Sequence, residues 1–207
     1  PVAMYHDNKS ANKTIMGLLD YQRDMLEEYM KQYSAKNIAI ELPTGSGKTL
    51  VGLVIGEFRR RKEHEKVVFL CPTNQLVNQV VEHANSKYGI KAIAFCGKQS
   101  EYSDKIKTDF LRTEAIAVTT YSSLFVQNTF FSDVDVIIMD DVHSSEGYII
   151  DNWTLNIEKK DDLFLDLADY FRKYIGEIEY KRMTGDEEEQ QTDSWCNIVP
   201  SALLSSD

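Results

Sequence analysis

The sequence has few cysteines, and none of them lies in a short paired motif. Cys71, Cys96 and Cys196 are far apart along the 207 residues, without a CxxC pattern. Such spacing favours reduced thiols in a cytosol over a disulfide framework or a zinc site. We therefore expect a cytoplasmic protein that does not bind metal through sulfur.

Long apolar runs are also missing. The chain contains no run of about 18 or more apolar residues, the length that a membrane-spanning helix requires. Asp7, Asn8, Lys9 and Lys13 interrupt the first twenty residues, where a signal peptide would have its hydrophobic core. These absences argue against membrane and exported proteins.

The chain has no excess of positive charge either, since its formal net charge is −10 at pH 7. This argues against nucleic-acid binding through a broad basic surface. Backbone amides and helix N-termini can still bind phosphates without altering the net charge. The one dense basic run, Arg59–Lys66, is expected to be the solvated end of a helix, where cations complement the helix dipole.

Short apolar runs, by contrast, recur along the chain, and the 43% of apolar residues suffices for one substantial core. The runs predict five strands: Ile38–Leu42, Val67–Cys71, Ile90–Phe95, Ala115–Thr119 and Val134–Met139. The segments between them have helical periodicity or are long enough for a helix, and a further helix precedes the first strand. The pattern predicts an α/β fold with a doubly wound, mainly parallel sheet and helices on both faces.

The pattern changes after the fifth strand. Phe164, Leu167, Ala168, Phe171 and Ile175 share one helical face, and an acidic stretch, "TGDEEEQQTD", follows as an expected exposed loop. We expect residues 1–150 to form the main domain and residues 151–207 to form a helical and acidic appendage.

The stretch "ELPTGSGKTL", Glu41–Leu50, carries the clearest chemistry. It lies between a predicted strand and a predicted helix, the context of a phosphate-binding loop. Its central residues would present backbone amides to phosphates at a helix N-terminus. Lys48 would bridge the β- and γ-phosphates of ATP, and the hydroxyl of Thr49 would bind Mg²⁺. The predicted nucleotide-binding residues are Thr44, Gly45, Ser46, Gly47, Lys48 and Thr49.

A second motif, "VDVIIMDDVH", ends an apolar strand with two carboxylates. A magnesium–nucleotide site needs such a carboxylate at the end of a neighbouring strand. Asp140 would hold Mg²⁺, and Asp141 would position or deprotonate the attacking water. With Lys48, these are the predicted catalytic residues.

The two motifs together resemble motifs I and II of superfamily 2 helicases, the DEAD/DEAH-box group. "CPTNQLVNQ" from Cys71 is similar to motif Ia of that family, and "VTTYSSL" from Val118 resembles motif Ib. All four occur in the family's order, each at the C-terminal end of a predicted strand, over about residues 18–150. The resemblance implies an N-terminal RecA-like ATP-binding domain.

The resemblance also implies roles for further residues. Gln22 would read the edge of adenine, since an amide donates and accepts at once. His143 would couple the ATP cleft to the nucleic-acid track. Sequence-independent contacts to the phosphodiester backbone of DNA or RNA are implied for two loops, with the residues Pro72, Thr73, Asn74, Thr119, Thr120 and Tyr121.

Two departures from the family's pattern affect the expected function. Asp141 stands where most members have Glu, and it reaches about one bond less, so hydrolysis is either slow or arranged differently. The Ser-Ala-Thr of motif III is not matched, because the "SAL" at Ser201–Leu203 lacks the Thr. We therefore expect residues 151–207 to belong to an insertion before motif III, with a second RecA-like domain outside this chain.

Two further hypotheses stay open beside a helicase or translocase that couples ATP hydrolysis to movement. One is a nucleotide-binding regulatory or assembly module with little turnover, which the acidic composition favours. The other is a translocase of a restriction or defence complex that moves on duplex without separating its strands.

Overall fold

The computed structural model describes residues 1–153 and 157–185. The chain divides into two compact units, Pro1–Trp153 and Thr154–Asp207. The first unit contains a four-stranded sheet with its flanking helices, and the described part of the second is helical.

The sheet consists of parallel strands in the order β2-β3-β1-β4. The strands are β1 (Val67–Cys71), β2 (Ala92–Ala94), β3 (Ile116–Thr120) and β4 (Val136–Met139). β1 and β3 are buried at every position, as expected for central strands covered on both faces. In the register, Leu70 lies beside Thr119 on one side and Met139 on the other. The C-terminal ends of these three strands therefore meet at one edge of the sheet.

Nine helices surround or follow the strands within the described residues. They are α1 (Val2–Asp7), α2 (Asp20–Gln32), α3 (Lys48–Lys62), α4 (Asn74–His83), α5 (Asp104–Leu111), α6 (Tyr121–Leu124), α7 (Glu146–Trp153), α8 (Leu163–Phe171) and α9 (Glu177–Thr184). The helix predicted before the phosphate loop is α2, and the helix predicted to begin near Lys48 is α3.

Two hydrophobic clusters lie on opposite faces of the sheet. Val67 and Phe69 of β1 pack in one cluster with residues of α2, α3 and α4. Val68 and Leu70 pack in the other, which holds the aromatic rings of Phe95, Tyr102, Phe110, Tyr121 and Phe131. This alternation along β1 follows the two-residue period of a strand. The predicted α/β fold with helices on both faces is confirmed.

The strand predicted at Ile38–Leu42 is wrong. These residues have no strand conformation, although Leu42 is buried in the core. A strand needs a partner to bond its backbone groups, and in the described ranges none of the four strands pairs with this stretch. The outer edge of β4 is likewise unpaired there, and its Ile137 is 47% exposed.

The basic run Arg59–Lys66 contains the end of α3, as expected, but it is not simply solvated. Arg60 is mostly buried and forms an ion pair with Glu57 at 2.8 Å, and Glu57 is itself buried. Arg60 also donates a hydrogen bond to the backbone oxygen of Thr113. These contacts give the run a structural role, because they join the end of α3 to the turn that follows α5.

In the second unit, α8 carries the predicted apolar face. Ala168 is buried within the helix, and Ile175 is buried in the turn that follows it. Most of the acidic stretch, residues 186–193, and the "SAL" at Ser201–Leu203 lie outside the described residues. No helix in the described parts of the chain has the length and apolar character needed to cross a bilayer.

Candidate nucleotide site and adjoining loops

The predicted phosphate-binding loop is a tight turn that leads into α3. Gly45 and Gly47 both have φ of +78°, a left-handed conformation that glycine adopts without strain. Lys48 is the first residue of α3 and is exposed, as are Thr44, Gly45 and Gly47. The loop therefore presents its backbone and Lys48 at the N-terminus of a 15-residue helix, where the helix dipole favours anions.

Gln22 supports this loop from α2. It is only 4% exposed, and its amide nitrogen donates a hydrogen bond to the backbone oxygen of Ser46 at 2.8 Å. Its amide oxygen accepts one from the backbone nitrogen of Leu19. The amide thus holds the loop in this structure, and the adenine role of Gln22 stays a prediction that would use its second N–H and its second lone pair.

Tyr21 also contacts the loop, a role that motif reasoning missed. Its hydroxyl donates a second hydrogen bond to the backbone oxygen of Ser46, at 3.0 Å. The signal was present in the sequence, because Tyr21 stands directly before Gln22 in "LLDYQ". The hydroxyl oxygen of Ser46 is buried and, among the described residues, has no hydrogen-bond partner.

The structure brings together Thr49 and Asp140, the two predicted magnesium ligands, at the edge of the sheet. The hydroxyl of Thr49 donates a hydrogen bond to a carboxylate oxygen of Asp140 at 2.8 Å. Asp140 directly follows β4, and its backbone nitrogen donates to the carbonyl of Leu70 in β1. The pair offers hard oxygen ligands of the kind that Mg²⁺ takes, beside a loop suited to phosphates.

Asp141 has a left-handed backbone, with φ of +54°. Asp is one of the few residues with a side chain that are enriched in this conformation, together with Asn and His. Its carboxylate accepts a hydrogen bond from the hydroxyl of Ser144 at 2.9 Å. His143 lies in the short 3-10 turn Val142–Ser145 and is exposed.

A cavity of about 250 Å³ adjoins these groups. Gly47, Thr49, Asp140 and Asp141 line one part of it, and residues of α4 line the other. Cys71 also lines the cavity, and burial, together with the nearby charge of Asp140, raises the pKa of its thiol to about 12. The thiol is therefore protonated near neutral pH and a poor nucleophile.

The first predicted nucleic-acid loop follows β1. Thr73 is the N-cap of α4, and its hydroxyl oxygen accepts a hydrogen bond from the backbone nitrogen of Leu76. Thr73 and Asn74 are exposed, and the hydroxyl proton of Thr73 can still be donated. These two residues place exposed polar groups and the N-terminus of a ten-residue helix at the sheet edge.

The second predicted loop needs a correction. Thr119 and Tyr121 are both 0% exposed, and the hydroxyl of Thr119 donates to the backbone oxygen of Phe95. Thr120 is also buried, and its hydroxyl bonds to those of Ser122 and Ser123. The side chains of the three predicted residues are therefore buried, because Thr119 and Thr120 end the buried strand β3 and Tyr121 begins α6 directly after it. Of the next two residues in this loop, Ser122 is exposed and Ser123 is partly exposed.

Tyr121 turns instead towards the nucleotide site. Its hydroxyl donates a hydrogen bond to the backbone oxygen of Asp140 at 2.5 Å. Burial, followed by the charge of Asp140, raises the pKa of the Tyr121 hydroxyl above its usual value. The hydroxyl therefore remains a proton donor over the whole neutral range.

The geometry can be set beside known proteins. The family model described as "Type III restriction enzyme, res subunit" matches residues 15–193, which is most of the chain. The chain belongs to this family. The match also bears out the predicted kinship with superfamily 2 helicases, so the chain is a helicase-family ATPase domain with a RecA-like fold.

Two known helicases are similar to parts of this chain, one in sequence and one in fold. The ATP-dependent DNA helicase Hel308 of Methanocaldococcus jannaschii is 27% identical over 116 residues, covering 52% of this chain and 10% of that protein. The crystal structure of the UvsW helicase from bacteriophage T4 matches with a TM-score of 0.50 and 21% identity, over 66% of this chain and 47% of that chain. The chain thus spans a tenth of one and less than half of the other.

Proposed function

We propose that this chain is the Mg²⁺·ATP-binding half of a nucleic-acid-dependent ATPase that moves along or unwinds DNA or RNA. One observation carries the proposal: the hydroxyl of Thr49, next to Lys48 in the phosphate loop, contacts the carboxylate of Asp140 at 2.8 Å. The two groups are 91 residues apart in sequence. A nucleotide-hydrolysing site needs these two groups at one point.

The residues present fit a magnesium nucleotide. Gly45 and Gly47 leave room at the helix N-terminus for phosphates, and Thr49 and Asp140 supply oxygen ligands. Bound Mg²⁺ would neutralise charge that develops on the phosphate oxygens. Lys48 would add its positive charge from the first turn of α3, and Asp141 would orient the attacking water from its left-handed turn.

The nucleic acid would lie across the C-terminal edge of the sheet. Thr73 and Asn74 expose polar groups at the N-terminus of α4, and after β3 Ser122 is exposed and Ser123 is partly exposed. Such contacts bind phosphates without regard to base sequence. They also need few basic side chains, which agrees with a net charge of −10.

A second RecA-like domain would complete the site in the full-length protein. In related phosphoryl transfer, an arginine supplied from outside the phosphate loop raises the rate by about 10³ to 10⁵. We therefore expect this chain alone to bind ATP but to hydrolyse it slowly. The complete enzyme would work where ATP and nucleic acid occur together, in the cytoplasm, nucleoid or nucleus.

The test is the ATPase rate of the full-length protein with and without single-stranded DNA or RNA. We expect a stimulation of at least about 10-fold, within the range of ordinary allosteric coupling. Lys48→Ala and Asp140→Ala should each abolish the stimulated rate. A rate that neither single-stranded DNA nor RNA changes, in a protein that does hydrolyse ATP, would favour a regulatory or assembly module.

A second candidate is a translocase that moves on duplex without separating strands. The description of the matching family, a restriction-enzyme subunit, favours it. A strand-displacement assay, run beside an assay for displacement of a protein block from duplex DNA, separates the two motors. Block displacement without strand separation would identify the translocase.

A further inference from the structure

Two tyrosines connect the predicted nucleic-acid loops to the nucleotide site. The first, Tyr121, begins α6 directly after β3 and is completely buried. Its hydroxyl donates to the backbone oxygen of Asp140 at 2.5 Å. Asp140 is the residue whose carboxylate contacts Thr49, so Tyr121 bonds to the backbone of the predicted magnesium ligand.

The second tyrosine, Tyr148, lies in α7 and packs against the first. The two rings are stacked, with centroids 6.1 Å apart and an interplanar angle of 23°. The hydroxyl of Tyr148 donates a hydrogen bond to the backbone oxygen of Pro72 at 3.0 Å. Pro72 begins the exposed loop that contains Thr73 and Asn74.

These contacts form a continuous path across three strand ends. The path runs from Pro72 after β1, through the stacked rings of Tyr148 and Tyr121, to Asp140 after β4. The turn that begins at Tyr121 also carries Ser122 and Ser123, the exposed and partly exposed residues of the second loop. If binding of nucleic acid displaces either loop, the displacement would therefore move the backbone that orients the Asp140 carboxylate.

The hydroxyl groups matter for this path more than the ring volumes. Phenylalanine would fill the same space in both places and keep the ring stack. It would leave the carbonyls of Asp140 and Pro72 without these hydrogen bonds. Apolar packing alone orients a carbonyl poorly, because it lacks the angular preference of a hydrogen bond. The two hydroxyls thus set the orientation of backbone that packing leaves less defined.

We propose that Tyr121 and Tyr148 are positioning residues that transmit nucleic-acid binding at the two loops to the placement of Asp140. The proposal rests on the proposed function, since it requires that nucleic acid bind at these loops. Coupling between two binding sites requires a structural element whose conformational equilibrium both ligands shift. Here that element is the pair of hydrogen bonds joined by the stacked rings.

The test measures binding rather than turnover, in the full-length protein. The affinity for a fluorescent single-stranded oligonucleotide is determined with and without a non-hydrolysable ATP analogue and Mg²⁺. We expect the analogue to change the affinity by about 5-fold or more, a typical coupling between two sites. In Tyr148→Phe this ratio should fall by about 3-fold or more, towards 1, while the affinity for the analogue alone stays within about 2-fold.

Two further variants separate the path from general packing. Tyr5→Phe is the matched control, because Tyr5 is buried and its hydroxyl also donates to a backbone oxygen, that of Ile15 at 2.8 Å. It should leave the ratio unchanged. The double variant Tyr121→Phe/Tyr148→Phe should lose no more coupling than the stronger single variant, because the two residues act in series.

The outcomes distinguish this proposal from the proposed function. If the wild type shows coupling and Tyr148→Phe shows the same coupling, the path is overturned and the proposed function stands. Equal losses of oligonucleotide and analogue binding in Tyr148→Phe would show a merely structural role. A wild-type protein in which neither ligand affects the other would overturn both.

Discussion

The hydroxyl of Thr49 and the carboxylate of Asp140 are joined by a hydrogen bond of 2.8 Å. One group belongs to the helix that follows the phosphate loop and the other to the end of β4, so only the folded sheet brings them together. These two oxygens are the groups that would hold Mg²⁺ beside the phosphate loop in the proposed function.

Replacement of Thr49 tests the hydroxyl directly. Thr49→Val keeps the shape of the side chain but removes the hydroxyl, and we expect the Mg²⁺-dependent ATPase rate to fall by about 10- to 100-fold, as for other lost metal partners. Thr49→Ser keeps the hydroxyl and should retain most of the rate. Steady-state assays over a Mg²⁺ series provide the measurement, and equal rates for the two variants would exclude Thr49 as a ligand.

Substitutions of the two loop glycines separate the effect of backbone strain on ATP binding from the effect of a steric clash. A Cβ on Gly47 would lie 2.6 Å from the amide nitrogen of Gln22, whereas a Cβ on Gly45 would meet nothing within 4 Å. Both have a left-handed φ, which costs a residue with a side chain about 1–2 kcal/mol. Gly45→Ala should weaken ATP binding moderately and Gly47→Ala should weaken it more, as measured by equilibrium titration.

Two companion variants complete this comparison. Gly147→Ala introduces a Cβ with no neighbour within 4 Å and an ordinary φ, so it should bind ATP like the wild type. Adding Gln22→Ala to Gly47→Ala removes the clash, so the losses of affinity from the two single variants should be less than additive in the double variant. If Gly45→Ala and Gly47→Ala are equally impaired, the contact with Gln22 does not contribute.

Asp141 is predicted to act on turnover and not on binding. Asp141→Asn suits the left-handed backbone and keeps the hydrogen bond from Ser144, but it removes the charge that would orient water. We expect kcat to fall by about 10²- to 10⁴-fold, the usual contribution of a general base, with ATP affinity nearly unchanged. Comparing kcat with the ATP dissociation constant measures this, and a normal kcat would assign hydrolysis to another residue.

Asp141→Glu tests why this position has the shorter acid. Glu is less tolerated at a φ of +54° and should lower stability by about 1 kcal/mol. Its longer side chain also reaches past the hydroxyl of Ser144. An Asp141→Glu protein with wild-type stability in urea unfolding would contradict the explanation by backbone conformation.

Alkaline pH should destabilise the protein through Cys71 and Tyr5. Burial is the main cause that raises both pKa values to about 12, from ordinary values of 9.0 for the thiol and 10.0 for the phenol. Above about pH 9 the unfolded chain loses these protons while the folded protein keeps them, so the free energy of unfolding falls with rising pH. The stabilisation is complete below pH 9 and is lost progressively up to about pH 12.

The contribution of Cys71 can be isolated by substitution. One group of this kind changes the free energy of unfolding by about 1.4 kcal/mol per pH unit within that window. Urea unfolding at about pH 8 and about pH 10.5 should therefore show a smaller pH-dependent loss for Cys71→Ala than for the wild type. Identical losses would mean that the thiol ionises equally in both states.

The sequence predicted the elements that depend on local pattern. Val67–Cys71 is a strand with the predicted bounds, because a run of five apolar residues suits a strand buried on both faces. The phosphate loop and the Asp140 strand end were also predicted from local pattern, because each is a short motif whose residues suit one chemical role, phosphate binding or magnesium binding. Thr49 and Asp140 meet in the structure although residues 38–42, the predicted strand before the loop, have no strand conformation.

What the sequence could not predict depends on neighbours that are distant in the chain. The run Ile38–Leu42 has strand composition, but composition does not show whether a partner strand lies beside it. Tyr121 stands in a predicted nucleic-acid loop, and only the fold shows that its side chain turns inward to Asp140. Tyr148 lies outside every recognised motif, so its bond to Pro72 had no signal in the sequence.

The most direct test of the central claim is the Mg²⁺ dependence of ATP binding to the protein, measured by calorimetry in Mg²⁺ and in a chelator. We predict that Mg²⁺ tightens ATP binding by at least about 10-fold in the wild type. This gain should disappear in Asp140→Ala and persist in Asp24→Ala, which removes an exposed acid of α2. Equal gains in Asp140→Ala and the wild type would contradict a magnesium–nucleotide site between the phosphate loop and β4.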